Sequence, residues 1–218
     1  MGGRRGNPLN GSRPALRESA VVLRRALDIA VSAAGLVLTA PLMAVAIVAI
    51  RLEGPGPALF RQLRAGLGGE PFEMLKLRTM VQDAESSGAG LAVNAGDARI
   101  TRVGALLRRT SLDELPNLIN VLRGEMSLIG PRPTLPSQVA QYTERQCGRL
   151  AIRPGMTGWA QVNGRAALPW PERIELDLYY VEHRSPKLDM EILARTASIV
   201  LGGSGLYKGR TGGWQGEL

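Results

Sequence analysis

The chain has 218 residues, of which 44% are hydrophobic and only 4% are aromatic, and it carries a formal net charge of +8. A chain of this length can bury one sizeable core, and its basic excess suits a phosphorylated substrate, an anionic lipid surface or a nucleic acid. The single cysteine and single histidine exclude an intrachain disulfide and a Cys/His zinc site, so any acid chemistry falls to carboxylates and arginines.

The first part of the chain predicts a basic arm followed by a membrane segment. Residues 1–23 are rich in glycine, proline and arginine, which is typical of a mobile arm. Within residues 24–51, the run from Ile29 to Ile50 contains no charge and would measure roughly 33 Å as a helix, enough to cross the hydrocarbon core. A cleaved signal peptide is disfavoured, because the run begins late and is longer than the hydrophobic region of a typical signal peptide.

Pro41 lies near the middle of this membrane segment and should bend its helix, because proline removes one backbone hydrogen bond. Arg24 and Arg25 precede the segment and Arg51 follows it, so the positive-inside rule favours neither orientation. A plain transmembrane span and a helix that bends and returns to the same face both satisfy these flanks. The residues alone leave both alternatives open.

Residues 52–200 are predicted to form one globular domain, and residues 201–218 a poorly ordered tail. The alternation in "PFEMLKLRTM" predicts a short strand, in which Lys76 and Arg78 would share a face. That face is either solvated or an anion site. Near the end of the domain, the run "ERIELDLYYVEHRSPKLDMEILARTASIVL" has helical spacing and predicts amphipathic helices that lie on a membrane surface or on a core.

Two adjacent acids, Asp113 and Glu114, stand in the stretch "TSLDELPNLINVLRGEMSLIGPRP". One structural explanation is a capping box, because Ser111 and Glu114 have the S-x-x-E spacing that caps a helix and places acids in its first turn. The capping box alone would leave both acids without a chemical role.

Pro116 argues against that capping box, because a proline beyond the first turn of a helix lacks a needed N–H and clashes with the preceding turn. We predict instead a helix that begins near Leu115 and ends at Gly124. The two acids would then lie at the mouth of this helix, where backbone N–H groups favour carboxylates, phosphate or both.

Arginines surround this stretch in the sequence. Arg108 lies in the stretch "RVGALLRRT", just before the two acids. Arg132 lies in "GPRP" between two prolines that restrict the backbone. "RPGMTGWAQVNGR" places Arg153 and Arg165 around a glycine-rich turn whose N–H groups could cradle an anion. Taken singly, each of these arginines is ordinary.

Four blocks in this order, "KLRTM", "TSLDELPNLINVLRGEMSLIGPRP", "RPGMTGWAQVNGR" and "LDLYYV", lie behind a proline-interrupted hydrophobic segment. Over residues 24–200 the chain thereby resembles the monotopic bacterial phosphoglycosyl transferases, also called bacterial sugar transferases. The resemblance implies a predominantly helical α+β fold with a re-entrant membrane helix hairpin, amphipathic surface helices and a small β element. It also implies that residues 52–200 form a catalytic domain on the cytoplasmic face of the bacterial inner membrane.

The resemblance implies an enzyme that moves a sugar-1-phosphate from a UDP-sugar to undecaprenyl phosphate, initiating an exopolysaccharide or other glycoconjugate. Asp113 would be the covalent nucleophile, and Glu114 would bind the cofactor, Mg²⁺. The partners expected are UDP-sugar, undecaprenyl phosphate, membrane lipid and a second copy in a homodimer, with no nucleic acid. The predicted substrate-binding residues are Lys76, Arg78, Arg108, Arg132, Arg153 and Arg165.

The chain departs from the family at the proline of the membrane segment. Relatives have Ser-Pro, whereas this chain has Ala40-Pro41, so any hydrogen bond from that serine must come from another residue, for which Thr39 is the candidate. "NGR" followed by "AALPW" is most similar to small bacillosamine-type members and favours an N-acetylated UDP-sugar.

Two other functions are weighed against the transferase. The first is a membrane-anchored nucleic-acid binder, which the basic charge favours but the few aromatics and the scattered basic residues oppose. The second is a non-catalytic membrane scaffold, which would need no reactive acid at Asp113.

Overall fold

The computed structural model describes residues 14–84, 97–164 and 168–202, with side chains from residue 19 onward. In these ranges the chain is predominantly helical with two small sheets, which confirms the predicted fold class. The helices are α1 (Pro14–Glu53), α2 (Arg102–Thr110), α3 (Asn117–Arg123), α4 (Pro136–Val139), α5 (Glu144–Cys147), α6 (Trp159–Val162), α7 (Trp170–His183) and α8 (Pro186–Leu201). The strands are β1 (Leu59–Ala65), β2 (Pro71–Leu77), β3 (Ser127–Ile129) and β4 (Gly155–Thr157).

Helix α1 contains the hydrophobic segment and is continuous through Pro41. From Ser19 to Glu53 it is long and apolar enough to cross a membrane, and only 11% of its most apolar window is buried in the protein. Length and composition alone would also fit a buried core helix or a signal sequence, but a core helix would not leave most of its apolar surface exposed. This surface supports membrane association, while the re-entrant path stays a prediction.

The hydroxyl of Thr39 donates a hydrogen bond to the carbonyl of Gly35, with an Oγ1 to O distance of 2.6 Å. The carbonyl that loses its helical N–H partner to Pro41 is that of Val37, four residues earlier. Thr39 therefore bonds the turn before the proline and does not replace the missing bond. Such a bond back to the preceding turn favours helix bending in its own right.

Strands β1 and β2 form an antiparallel hairpin in which Leu59 pairs with Leu77 and Ala65 with Pro71. The connecting turn contains Gly68, whose φ of 66° favours a residue without a Cβ. The predicted strand around "PFEMLKL" is confirmed. Its inner side chains form a core cluster with α3 and the residues after it, and the members are Phe72, Met74, Val121 and Met126.

The predicted helix after the acid pair is confirmed, but the capping box is wrong. Pro116 directly precedes α3, and Gly124, with a φ of 84°, ends it. Ser111 has a left-handed φ of 58° and makes no side-chain cap bond, because it terminates α2 instead of starting the next helix. An N-cap residue needs an extended backbone, which Ser111 does not have.

The first end of the hydrophobic segment is bonded to the globular domain. Arg24 forms an ion pair with Asp189 of α8 at 2.7 Å. Arg25 donates to the carbonyls of Val121 and Leu122 at 2.6 and 2.8 Å, in the last turn of α3, where carbonyls lack the usual N–H partner four residues later. Both arginines thus make bonds inside the protein.

The other end of the hydrophobic segment is bonded to the same domain. Arg78, just after β2, donates to the carbonyls of Ile50 and Gly54 at 3.0 and 2.8 Å. The carboxylate of Glu53 accepts from the backbone N–H of Val103 at 3.1 Å, at the start of α2. Helix α1 is therefore attached near both of its ends.

Candidate active site

Asp113 and Glu114 lie in a short 3-10 turn, Leu112–Glu114, between α2 and α3. The turn is fixed on one side by the left-handed Ser111 and on the other by Pro116. Asp113 is 8% exposed, and the side chain of Glu114 is 24% exposed. The two neighbours thus occupy different surroundings, as adjacent side chains on one chain are expected to do.

Two cations converge on a single oxygen of Glu114. The ammonium of Lys76, from β2, lies 2.8 Å from Oε1, and the guanidinium of Arg132 lies 2.9 Å from the same atom. The Arg132 side chain is 49% exposed, so it can also reach a ligand. The arrangement places two positive charges beside the acid pair, where a diphosphate would need them.

The pKa values of the two acids move in opposite directions. Burial raises the pKa of Asp113 above its ordinary value, and the Lys76 ammonium opposes this rise only in part. Burial also tends to raise the pKa of Glu114, but the charges of Lys76 and Arg132 outweigh it and hold that pKa well below the usual range. Glu114 is therefore a fixed anion, while the nearby cations compensate the burial of Asp113 only in part.

The loop that carries Arg132 is positioned by close backbone packing between β3 and β4, which pair in parallel. The N–H of Gly130 donates to Thr157 O at 2.9 Å, and that of Gly155 donates to Pro131 O at 2.8 Å. A Cβ on Gly155 would lie 2.0 Å from the nitrogen of Gly130, so neither strand could approach this closely with a larger residue there.

The structure brings together only part of the predicted substrate-binding set. Lys76 and Arg132 contact Glu114 directly. Arg108, at the end of α2, lies close enough for its charge to oppose the rise in the pKa of Asp113. These residues and the two acids form the candidate site.

The other predicted basic residues lie elsewhere. Arg78 bonds carbonyls at the end of α1, and Arg153 donates from Nε to Gly124 O at 2.7 Å. Their guanidinium groups hold backbone carbonyls, and their role in substrate binding stays a prediction. Arg165 lies outside the described residues.

The sequence patterns did not predict the buried ion pair of Arg149 and Asp177, whose side chains are both 3% exposed. A signal was present in "RIELDLYY", where Asp177 falls at helical spacing from Ile174 on the face that α7 buries. An acid on an apolar face requires a buried partner, because an unpaired charge is very costly to desolvate. The sequence did not show which arginine provides it.

The donor set fits Mg²⁺, provided that the substrate supplies the remaining ligands. No group of three or more His, Cys, Asp or Glu side chains suited to a metal is found among residues 19–84, 97–164 and 168–202. Mg²⁺ in phosphate-handling enzymes is usually held by one or two carboxylates together with phosphate oxygens and water. Glu114 can supply one such carboxylate, because Lys76 and Arg132 occupy only its Oε1 and leave Oε2 available.

The chain is similar in sequence to known proteins. The family model for bacterial sugar transferases matches residues 19–203. The chain is 41% identical over 188 residues to the uncharacterized sugar transferase EpsL of Bacillus subtilis, covering 86% of this chain and 92% of that protein.

Other relatives carry names that specify a reaction. A UDP-glucose:undecaprenyl-phosphate glucose-1-phosphate transferase of Caulobacter vibrioides is 45% identical over 197 residues, covering 86% of this chain and 73% of that protein. A UDP-N-acetylgalactosamine-undecaprenyl-phosphate N-acetylgalactosaminephosphotransferase of Aeromonas hydrophila is 42% identical over 189 residues, covering 84% of this chain and 44% of that protein. The chain belongs to the bacterial sugar transferase family.

Proposed function

We propose that this protein transfers a sugar-1-phosphate from a UDP-sugar to undecaprenyl phosphate through a covalent intermediate on Asp113. The observation that carries the proposal is the buried Asp113 beside Glu114, Lys76 and Arg132. The names of the relatives from Caulobacter vibrioides and Aeromonas hydrophila support the same reaction type.

The chemistry requires two displacements at one phosphorus atom. A carboxylate oxygen of Asp113 attacks the phosphorus that bears the sugar, and the bond to the bridging oxygen breaks, so UMP leaves with that electron pair. An oxygen of undecaprenyl phosphate then attacks the same phosphorus and releases the Asp113 carboxylate. Both steps are group transfers, so neither needs an oxidant or a reductant.

The basic residues neutralise the negative charge of the diphosphate. Lys76 and Arg132 offset its negative charge, which otherwise repels the Asp113 carboxylate. Arg132 presents a planar fork that can bind two phosphate oxygens together, whereas Lys76 acts as a point charge. Glu114 keeps both cations oriented and would hold Mg²⁺, which when bound would neutralise developing charge on the departing phosphate.

We place the reaction on the cytoplasmic face of the bacterial inner membrane, with α1 inserted as a re-entrant helix. The support is the exposed apolar surface of α1 and its attachment near both ends to one domain. A lipid-linked acceptor phosphate must reach Asp113 at the membrane surface, and this arrangement keeps the site next to the bilayer. Formation of a homodimer stays a prediction.

Family membership favours the transferase over the nucleic-acid binder and the scaffold. The sugar stays open, because the relatives are named for glucose and for N-acetylgalactosamine. The expectation of an N-acetylated sugar, from the likeness to bacillosamine-type members, also stays a prediction.

A panel of UDP-sugars tests the proposal. Purified protein in detergent or nanodiscs is incubated with undecaprenyl phosphate, Mg²⁺ and one UDP-sugar at a time, and UMP release and lipid-linked product are measured. We expect release that depends on both undecaprenyl phosphate and Mg²⁺ for at least one sugar, with N-acetylated sugars preferred. The Asp113→Asn variant is the control for a contaminating activity, and a wild-type protein that releases no UMP from any sugar would refute the proposed function.

A further inference from the structure

The loop Pro131–Thr134 carries Arg132, and all four of its carbonyl oxygens accept hydrogen bonds from other parts of the chain. The Pro131 carbonyl accepts from Gly155 N at 2.8 Å, and the Arg132 carbonyl accepts from Arg149 Nη2 at 3.1 Å. The Pro133 carbonyl accepts from Arg64 Nη1 at 3.5 Å, and the Thr134 carbonyl accepts from Ala65 N at 2.8 Å. These donors come from β4, from the turn after α5 and from β1. The loop is therefore held along its whole length.

Among these donors, Arg149 supplies a buried charge. It forms an ion pair with Asp177 of α7, and its second guanidinium nitrogen donates to the hydroxyl of Tyr142. That hydroxyl donates in turn to Thr134 Oγ1 at 3.1 Å. One guanidinium thus connects α7, Tyr142 and the loop.

A buried ion pair is weak evidence for stability, because removing two charges from water offsets most of their attraction. The Arg149–Asp177 pair therefore calls for a further explanation. Its third contact is the Arg132 carbonyl, and the side chain of Arg132 reaches Glu114 at 2.9 Å. The chain of contacts runs from Asp177 to the acid pair in three steps.

We propose that Arg149, oriented by Asp177, is a positioning residue that fixes Arg132 for phosphate binding. The inference rests on the proposed function, because it concerns the same site. The prolines on either side of Arg132 restrict their own φ angles, and Pro133 confines Arg132 to extended backbone, but within that region the tilt of the Arg132 carbonyl still varies. Holding the Arg132 carbonyl removes that freedom, so the exposed guanidinium keeps one orientation beside Glu114.

Hydrogen–deuterium exchange tests the positioning without any need for activity. The variant Arg149→Lys keeps the charge but cannot bond Asp177, Tyr142 and Arg132 with one planar group. We expect faster exchange at the amides of Ala65 and Gly155, which donate to the loop on either side of Arg132. Unchanged exchange at both amides would overturn the inference.

The matched control for this exchange experiment is Arg145→Lys. Arg145 lies four residues before Arg149 and also pairs with α7, through Glu175 at 2.7 Å, but on the exposed surface. We expect no change at either amide in this variant. Equal acceleration in both variants would assign the effect to general loosening of α7 and would overturn the inference.

A double-mutant cycle on kcat/KM for the UDP-sugar tests the consequence for turnover. Arg149→Lys should lower kcat/KM by up to about 100-fold, as a small misplacement of a binding group can do. In an Arg132→Ala background the same change should have little effect, because no guanidinium is left to position. Equal losses in both backgrounds would overturn the inference while leaving the transferase activity in place.

The tests also separate a failure of the inference from a variant that does not fold and from a failure of the proposed function. If Arg149→Lys does not fold, as judged by its thermal unfolding, Tyr142→Phe replaces it, because this change removes one hydroxyl from the same network and preserves the ring. It should accelerate exchange at the same amides, and a failure to do so would count against the inference. If the wild-type protein transfers no sugar phosphate, the proposed function fails, and the exchange experiment still decides whether Arg149 fixes the loop.

Discussion

Asp113 and Glu114 are neighbours in the chain, but their surroundings suit them to different work. At Asp113 the effect of burial outweighs the nearby cations and raises the pKa, so the ionised carboxylate is less stabilised, which suits the nucleophile that we propose. Glu114 is held ionised by Lys76 and Arg132, and a carboxylate so well compensated is a poor nucleophile and a good anchor. The surroundings thus suit the two acids to the separate roles that we propose for them.

The variant Asp113→Asn should abolish the covalent step, because the amide is neutral and a poor nucleophile, although it keeps nearly the same shape. Wild-type protein given UDP-sugar and Mg²⁺ without undecaprenyl phosphate should release up to one UMP per site and retain a sugar-phosphate adduct. Intact-protein mass spectrometry on rapidly quenched samples checks this. An adduct on another residue would contradict the assignment of Asp113.

The variant Lys76→Met should move the acid limb of the kcat/KM profile to higher pH. As the proposed nucleophile, Asp113 must be ionised to attack. Burial raises its pKa, and the Lys76 charge opposes that rise. Without this charge the pKa of Asp113 rises further, so activity is lost at a higher pH as the solution is acidified. The measurement is kcat/KM against pH for the UDP-sugar.

The matched control for the pH profile is Arg61→Met on the same hairpin. Arg61 forms an ion pair with Glu73 at 3.4 Å, and both side chains are exposed. Its removal should leave the acid limb where it is in the wild-type protein. A shift to lower pH in Lys76→Met would mean that Asp113 is not the group that titrates.

At the scale of elements, α2 places the acid-bearing turn by packing closely on the segment after β2. A Cβ on Gly104 would lie 2.0 Å from the carbonyl oxygen of Thr79, which is backbone and cannot move away cheaply. Gly104→Ala should therefore lower the free energy of unfolding by about 1 to 3 kcal/mol, although alanine favours helix more than glycine does. Thermal unfolding measures the loss. In Gly54→Ala, where a Cβ meets nothing within 4 Å, we expect almost none.

The elements themselves follow from local patterns in the sequence. Alternation predicted β2, an uncharged run predicted α1, and Pro116 with Gly124 predicted both ends of α3. These patterns report which face of an element is apolar and where its backbone must turn. These patterns can be recognised in the sequence because each depends on only a few neighbouring residues.

The partners of the basic residues could not be predicted in the same way. Arg78 bonds carbonyls about 25 residues earlier in the chain, and Arg153 bonds Gly124, although both were expected to bind substrate. Ser111 matched a capping-box spacing but ends the preceding helix. A charge pattern shows that a cation is present, and only tertiary packing decides whether it meets a carboxylate, a carbonyl or a ligand.

At the scale of the whole molecule, α1 is joined to one domain near both ends of its hydrophobic segment. Arg25 bonds the end of α3, and Ile50 accepts a bond from Arg78. A straight helix between these two residues would measure about 38 Å, more than the roughly 30 Å of the hydrocarbon core. A plain span would therefore place polar contacts of one domain on both sides of the membrane. A bend at Pro41 removes this conflict.

Both ends of the hydrophobic segment should therefore lie on the cytoplasmic side. Single cysteines replace Ser12, before the segment, and Ser87, after it, in a Cys147→Ser background that removes the native thiol. In intact spheroplasts neither should react with a membrane-impermeant thiol reagent, because both would face the cytoplasm. Permeabilised spheroplasts provide the control, in which both should be labelled. Labelling of position 12 alone in the intact preparation would show that α1 crosses the membrane, and the attachments at Arg25 and Ile50 could not then coexist with that topology.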